Sequence, residues 1–348
     1  MEKVFTAKLK GGLESAVYFS TKVDSLEKKI KEYGDNVIFI FDGNTRNLVS
    51  VDSKKALVLP AGEEYKNYKS IGLILDKALD LSLARDSLFI AIGGGVICDM
   101  TAFASSIYMR GARCVLVPTT LLSMVDASVG GKSGIDYAGY KNIVGTFFPA
   151  EDILICLETL STLSDKEFLC GLGEVVKHAF LSPDDKLYDY LSLNADRILS
   201  RDLDALKEVV RLSLEVKKHF IELDPEEKKG IRSFLNLGHT FGHALESITN
   251  YQISHGEGVA WGTLKAFDAG VRIGVTPEEY RNKALKLFSL YPFSSSFRIP
   301  EDRLDDFIKA ISKDKKKSKG SVKFVLMKGQ GEPILLPLER ETIESVLA

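Results

Sequence analysis

The chain has 348 residues, 45% of them hydrophobic and 27% charged, which is enough for two sizeable cores and too apolar for a disordered polypeptide. Forty-six Lys and Arg against 48 Asp and Glu leave a formal charge of −2, so neither nucleic acid nor an anionic membrane is an expected partner. Cys98, Cys114, Cys156 and Cys170 lack C-x-x-C spacing and sit mostly in apolar runs. With no signal-peptide core or membrane-spanning run, the expectation is a cytoplasmic protein with reduced, buried thiols and no processing.

Residues 3–8 and 16–20 read as short strands, 25–33 as a helix, and NVIFIF as a buried strand ending at Asp42-Gly43-Asn44. A carboxylate at a strand tip can accept hydrogen bonds from ribose hydroxyls, although an Asp-Gly turn alone has the same spelling. ALVLP is the next strand. AGEEYKNYKSIGLILDKAL reads as a helix whose first turn holds Glu63, Glu64 and Lys66, and acids suit that position in any protein.

SLFIAI is a strand that stops at Gly93-Gly94-Gly95 and passes into a helical pattern from Val96. Glycines there let backbone approach a ligand, and the unpaired N–H groups of the helix attract an anion such as a pyrophosphate; a tight corner is the alternative, since GGGxxxD is not G-x-G-x-x-G. In the stretch from Asp126 to Gly134, Gly130 and Gly131 can present successive N–H groups beside Lys132, which suits a phosphate. Lys141 and Asn142 follow on a loop signalled by Tyr137-Ala138-Gly139, for which a solvated loop is the alternative. DILICLETL is the last buried strand, so residues 1–155 are expected to form an α/β domain and 156–348 a mostly helical one.

Within GLGEVVKHAFL, Glu174, Lys177 and His178 share a helical face, where a surface ion pair is the plain reading. In a helix over Leu203–Leu223, Lys217 falls inside the apolar stripe, where it either snorkels to the edge or meets an anion. In GIRSFLNLGHTFGHALE, Arg232, Asn236, His239 and His243 are spaced 4, 3 and 4, as one helical stripe opposite Phe241, Ala244, Leu245 and Ile248. His255 follows in Ser-His-Gly-Glu. Two imidazoles and a carboxylate are the His₂Glu class of catalytic zinc site, but spacing does not choose between His239 and His243.

GGGVICD, Arg110-Gly111, PTTLLSMVDASVGGKSG, YKNIVGTFFP, GLGEVVKHA, RSFLNLGHTFGHALE, SHGEGVAWG and KDKKKSKGSVKFVL stand in the order and spacing of 3-dehydroquinate synthase. The chain resembles that family, a branch of the sugar phosphate cyclases, over most of its length. The resemblance implies an N-terminal Rossmann-like nucleotide-binding α/β domain followed by a mostly α-helical metal-binding domain. It implies conversion of 3-deoxy-D-arabino-heptulosonate 7-phosphate to 3-dehydroquinate and phosphate, by transient oxidation at C5, phosphate elimination, re-reduction and aldol closure.

Residue by residue, the resemblance implies NAD at Asp42, Asn44, Glu63, Lys66, Gly94, Gly95, Val96, Asp99, Thr119, Thr120, Leu122, Asp126, Lys132, Lys141, Thr162 and Glu167. It implies Zn²⁺ or Co²⁺ on Glu174, His239 and His255, with His243 on substrate. Phosphate falls to Arg110, Lys132, Asn142 and Lys315, the carboxylate to Arg232 and Lys217, and hydroxyls and protons to Asp126, Lys177, Asn236 and His243. A homodimer is also implied, with Arg110 acting across the interface. Ala102 and Ser164 depart from the family's usual glycine and proline, and DPEEKKGIR is one residue longer, which leaves the family's active-site acid open between Glu226 and Glu227. The alternatives are another sugar phosphate cyclase, or a metal-dependent polyol dehydrogenase sharing GGG…D and PTT.

Overall fold

The structure, a computed structural model, describes residues 1–9, 12–293, 297–314 and 322–347. The chain divides into two compact units, Met1–Leu163 with Ile221–Glu226, and Ser164–Phe220 with Glu227–Ala348. The first contains β1 (Glu2–Lys8), β2 (Glu14–Ser20), α1 (Val23–Lys31), β3 (Val37–Asp42), β4 (Ala56–Leu59), α2 (Tyr68–Asp80), β5 (Leu88–Gly93), α3 (Gly95–Ile107), β6 (Arg113–Pro118), β7 (Lys132–Tyr137), β8 (Tyr140–Phe147) and β9 (Asp152–Cys156). Seven of these strands form one sheet in the order β1-β2-β9-β6-β5-β3-β4, parallel except for β1. VIFIF, LFIAIG and ILIC are buried along their length, as parallel strands covered on both faces require.

This order places the ligand-binding edge. The chain leaves β3 for β4 on one side and returns to β5 on the other, so the turns after β3 and β5 diverge at the carboxyl ends of adjacent strands. In open α/β sheets that divergence opens the crevice where nucleotides bind. Asp42 and Gly93-Gly94-Gly95 stand at that point.

Two local expectations need correction. Glu63 and Lys66 do not lie in the first turn of a helix over 61–79: Glu63–Tyr65 is a separate 3₁₀ turn, and α2 starts at Tyr68. The reason is Asn67, whose side chain accepts from the N–H groups of Lys69 and Ser70 and caps the helix there. Lys141 and Asn142 are not on a loop but on β8, paired antiparallel with β7. The loop is only Ala138 and Gly139, with φ of 51° and 80°, a two-residue hairpin turn.

The second unit contains α4 (Asp165–Leu181), α5 (Lys186–Leu193), α6 (Ala195–Leu199), α7 (Leu203–Leu223, its last three residues counted with the first unit), α8 (His239–Ile248), α9 (His255–Arg272), α10 (Glu278–Phe288), α11 (Leu304–Asp314), β10 (Lys323–Met327), β11 (Pro333–Pro337) and α12 (Arg340–Leu347). It is mostly helical, with β10 and β11 paired as a hairpin. The hairpin turn caps α4: Gln330 Nε2 donates to the carbonyls of Ala179 at 2.7 Å, Ser182 at 2.8 Å and Asp184 at 3.1 Å. Among the described residues no helix is long and apolar enough to cross a membrane.

Packing around α9 relies on glycine. A Cβ on Gly256 would lie 1.9 Å from the carbonyl oxygen of Cys170, and one on Gly173 would lie 2.1 Å from that of Gly256. A Cβ on Gly262 would lie 2.1 Å from the carbonyl oxygen of Gly238, so backbone touches backbone at both crossings. Gly256→Ala should therefore destabilise the protein by about 3 kcal/mol or more, because main chain and not a movable side chain is in the way. Gly72→Ala in α2, where a Cβ meets nothing within 4 Å, should instead raise stability by up to ~1 kcal/mol. Denaturant unfolding of the two variants checks this, and equal midpoints would contradict it.

Candidate metal and nucleotide sites

The stripe expected from Arg232 to His243 is interrupted. Arg232–Asn236 is a 3₁₀ turn, Leu237 is extended, and Gly238 takes φ 79°, so that His239 begins a new helix, α8. On α8, His239, His243 and Glu246 follow at i, i+4 and i+7 and share a face. His255 is the first residue of α9, capped by Ser254 and Glu257 in a reciprocal box.

Glu174 on α4 completes the set. Its side chain is fully buried, and Nε2 of His239 and Nε2 of His255 each lie 3.3 Å from its Oε1. That oxygen makes no hydrogen bond, while Oε2 accepts from buried Lys177. The surface reading of the Glu174–Lys177 pair is thus wrong; the pair lies inside the unit because Gly173 lets α4 press against α9. Burial would raise the Glu174 carboxyl, but the charge of Lys177 and the contacts with both imidazoles hold it well below the usual range. Three donor atoms within 4.8 Å of one another, one a buried carboxylate oxygen with no proton to accept, fit a divalent cation.

Each imidazole is oriented by its other nitrogen. Nδ1 of His239 is 3.2 Å from the carbonyl oxygen of Leu237, whereas Nδ1 of His255 is 2.9 Å from Oε1 of Glu246. Burial would lower the His255 pKa, but Glu174 and Glu246 together lift it to about 10. Glu246 was not a candidate from sequence. Its signal was an acid within GHALESI, on the face of His239 and His243. His178, grouped by spacing with Glu174, is buried too, with Nδ1 2.6 Å from Ser213 Oγ and a ring nitrogen within 4.8 Å of a Glu174 carboxylate oxygen.

At the sheet edge of the first unit, Asp42 Oδ1 accepts from the N–H groups of Asn44 at 2.9 Å and Thr45 at 3.0 Å, and Thr45 Oγ1 donates to the carbonyl of Ile92 at 2.7 Å. The two diverging turns are thereby tied together. Gly94 is the N-cap of α3, where a Cβ would come within 3.2 Å of Thr120, and a Cβ on Gly95 within 3.3 Å of Ala127. Close walls and an uncapped helix N-terminus fit a pyrophosphate. Val96 lies in the first turn of α3; Thr119 N donates to the carbonyl of Gly93, and Leu122 leads into a π-helical turn carrying Asp126.

Buried Lys66 binds Asp99 Oδ2 at 2.7 Å and Asn142 Oδ1 at 2.5 Å, and Asn142 N donates to Asp136. This joins a cofactor candidate to a phosphate candidate through the β7–β8 hairpin. Burial pushes the Asp99 carboxyl up although Lys66 pulls it down. Lys132 and Lys141 are exposed on that hairpin, and Gly130 and Gly131 before it take φ of 115° and 69°. Thr162 ends a 3₁₀ turn; Glu167 stands in the first turn of α4, its N–H bonded to the N-cap Ser164. Lys217 and Arg232 are buried, while Asn236, His243 and Arg110 are exposed. Lys315 lies outside the described residues.

Residues 56–170 match the family model for the 3-dehydroquinate synthase N-terminal region, and residues 171–317 that for the C-terminal region. A 3-dehydroquinate synthase of Francisella tularensis subsp. tularensis is 38% identical over 296 residues, 84% of this chain and 81% of that protein. A bifunctional 3-dehydroquinate synthase/phosphatase of Fusobacterium nucleatum subsp. nucleatum is 39% identical over 82% of this chain, but the match spans only 43% of that longer protein. Among solved structures, 2-deoxy-scyllo-inosose synthase complexed with carbaglucose-6-phosphate, NAD+ and Co2+ aligns with a TM-score of 0.86 at 22% identity, covering 99% of this chain and 98% of that one. ValA (2-epi-5-epi-valiolone synthase) from Streptomyces hygroscopicus subsp. jinggangensis 5008, with NAD+ and Zn2+ bound, aligns at 0.83 and 22% identity over 95% of each chain. These two establish the fold; on the family models and the Francisella relative together, the chain belongs to the 3-dehydroquinate synthase family of enzymes.

Proposed function

We propose that the chain converts 3-deoxy-D-arabino-heptulosonate 7-phosphate to 3-dehydroquinate and phosphate, the second step of the shikimate pathway. The observation that carries this reading is the buried Glu174 oxygen facing two imidazole nitrogens, in a chain of this family. The dinucleotide belongs at the sheet edge, with its pyrophosphate on the Gly94–Gly95 helix end and its ribose toward Asp42 and Asn44. Zn²⁺ or Co²⁺ belongs on Glu174, His239 and His255. When bound, the nicotinamide supplies a reversible hydride acceptor and the metal a Lewis acid beside the reacting hydroxyls.

The remaining work falls to the chain. Lys132, Asn142 and Arg110, with Lys315, hold the phosphate, and Arg232 and Lys217 the carboxylate. Burial strips these last two cations of water and strengthens their grip on an anion. Lys177 keeps Glu174 ionised and donates to substrate hydroxyls, and Asp126, Asn236 and His243 orient hydroxyls and move protons. A ketone at C5 acidifies the adjacent C–H, so phosphate leaves by elimination before the ketone is reduced again. The four buried, free cysteines support a reducing, cytoplasmic setting.

Purified enzyme given the heptulosonate phosphate and NAD should release phosphate with no accumulation of reduced nicotinamide. Reduced nicotinamide equal to product would instead mark a dehydrogenase. Metal analysis should find about one divalent ion per chain, lost in His239→Ala and His255→Ala; undiminished metal in both variants removes the ligand assignment.

We also propose a homodimer in which Arg110 serves the partner subunit's phosphate site. Arg110 lies past the far end of the 13-residue α3, about 20 Å from Gly95 at helical rise. It is exposed beside the exposed apolar side chains of Ile107 and Met109, and takes φ 67°, a conformation that costs energy in any residue with a side chain. Arg110→Ala and Lys132→Ala should each be nearly inactive. Unfolded and reassembled together, they should regain about a quarter of wild-type sites, because each mixed dimer holds one intact pair. Inactivity of a mixture proven to contain mixed dimers would place Arg110 in its own chain's site.

A further inference from the structure

We propose that Glu246 is a positioning residue for the metal centre: its carboxylate fixes the ring of His255 and adds the negative charge that makes this imidazole the stronger of the two nitrogen ligands. The inference rests on the metal reading above. Three observations carry it. Oε1 of Glu246 is 2.9 Å from Nδ1 of His255, so Nδ1–H donates, and Nε2, on the Glu174 side of the ring, is the nitrogen that gives up its proton when a cation binds. Glu246 is 4% exposed on the face of α8 that carries His239 and His243, and a carboxylate buried there incurs a desolvation cost that a structural role alone does not require. The site is also shaped for it: a Cβ on Gly258 of α9 would come within 3.2 Å of that same Oε1, so the absent side chain leaves the carboxylate its place against His255.

His239 supplies the contrast. Its Nδ1 faces only the carbonyl oxygen of Leu237, at 3.2 Å, a neutral acceptor on the chain's own turn. One ligand is thus backed by backbone and the other by a full charge. His243, Glu246 and His255 also form a donor set, in which Glu246 would itself be a ligand. The geometry favours the backing role, because Oε1 of Glu246 meets the Nδ1 side of His255 while Glu174 meets the Nε2 side.

The test is titration of metal-stripped, full-length protein with Co²⁺ alone, followed by visible absorption and calorimetry. Wild type should bind about one equivalent with a tetrahedral-type spectrum, and His239→Ala should not. Glu246→Gln keeps an acceptor for Nδ1–H while removing the charge, and should weaken Co²⁺ binding about 10- to 100-fold with the thermal midpoint of the metal-free protein unchanged. Glu246→Ala should weaken it further and shift the absorption bands as the ring turns. A Co²⁺ affinity for Glu246→Gln within about twofold of wild type overturns the proposal and leaves the ligand assignment standing. Loss of binding in His243→Ala with binding kept in His239→Ala overturns it in favour of Glu246 as a ligand. Absence of Co²⁺ binding by wild type overturns the metal reading and the proposal with it.

Discussion

The contact of glycine with main chain around α9 is the constraint on which the second unit depends. Gly173 and Gly256 meet where α4 crosses α9, and Gly238 and Gly262 where the start of α8 meets α9. Each prospective ligand is the immediate neighbour of one of these glycines: Glu174 follows Gly173, His239 follows Gly238, and His255 precedes Gly256. Interhelical distance and ligand convergence are therefore one quantity. With alanine at these points the helices would have to separate, and donor atoms now 3.3 Å apart would be carried out of common reach.

The first unit follows a different rule, in which backbone direction and not close packing sets the site. Parallel strands deliver all their carboxyl ends to one edge, and the divergence of the turns after β3 and β5 leaves Asp42 beside the glycine turn. The same edge serves nucleotide enzymes of many chemistries, so it says little about the reaction. Specificity must come from what surrounds it, and here that includes the Lys66–Asp99–Asn142 network, which locks the β7–β8 hairpin against the turn before α2.

Most of the fold was legible because its signals are local. Continuous apolar runs named the buried strands, and the apolar stripe read over Leu203–Leu223 gave α7 its observed ends and placed Lys217 inside. The misses occurred where one residue overrode a period. Asn67 started α2 later than its pattern, Gly238 cut one helical stripe into a turn and a helix, and Ala138 and Gly139 turned an expected loop into a hairpin. Spacing could not separate a buried Glu174–Lys177 pair from a surface one, since the difference lies on α9. Glu246 escaped because its partner, His255, belongs to the next helix.

The capping of α4 by Gln330 has a consequence for how the protein is made. The helix that carries Glu174 and Lys177 ends at carbonyls satisfied by a side chain from the far side of α5 through α11 in sequence. On the ribosome, α4 emerges long before its cap does, and until the β10–β11 hairpin is synthesised the carbonyls of Ala179 and Ser182 lack the side chain that caps them. The end of this helix therefore completes its hydrogen bonding only once residue 330 has been made and the hairpin has docked.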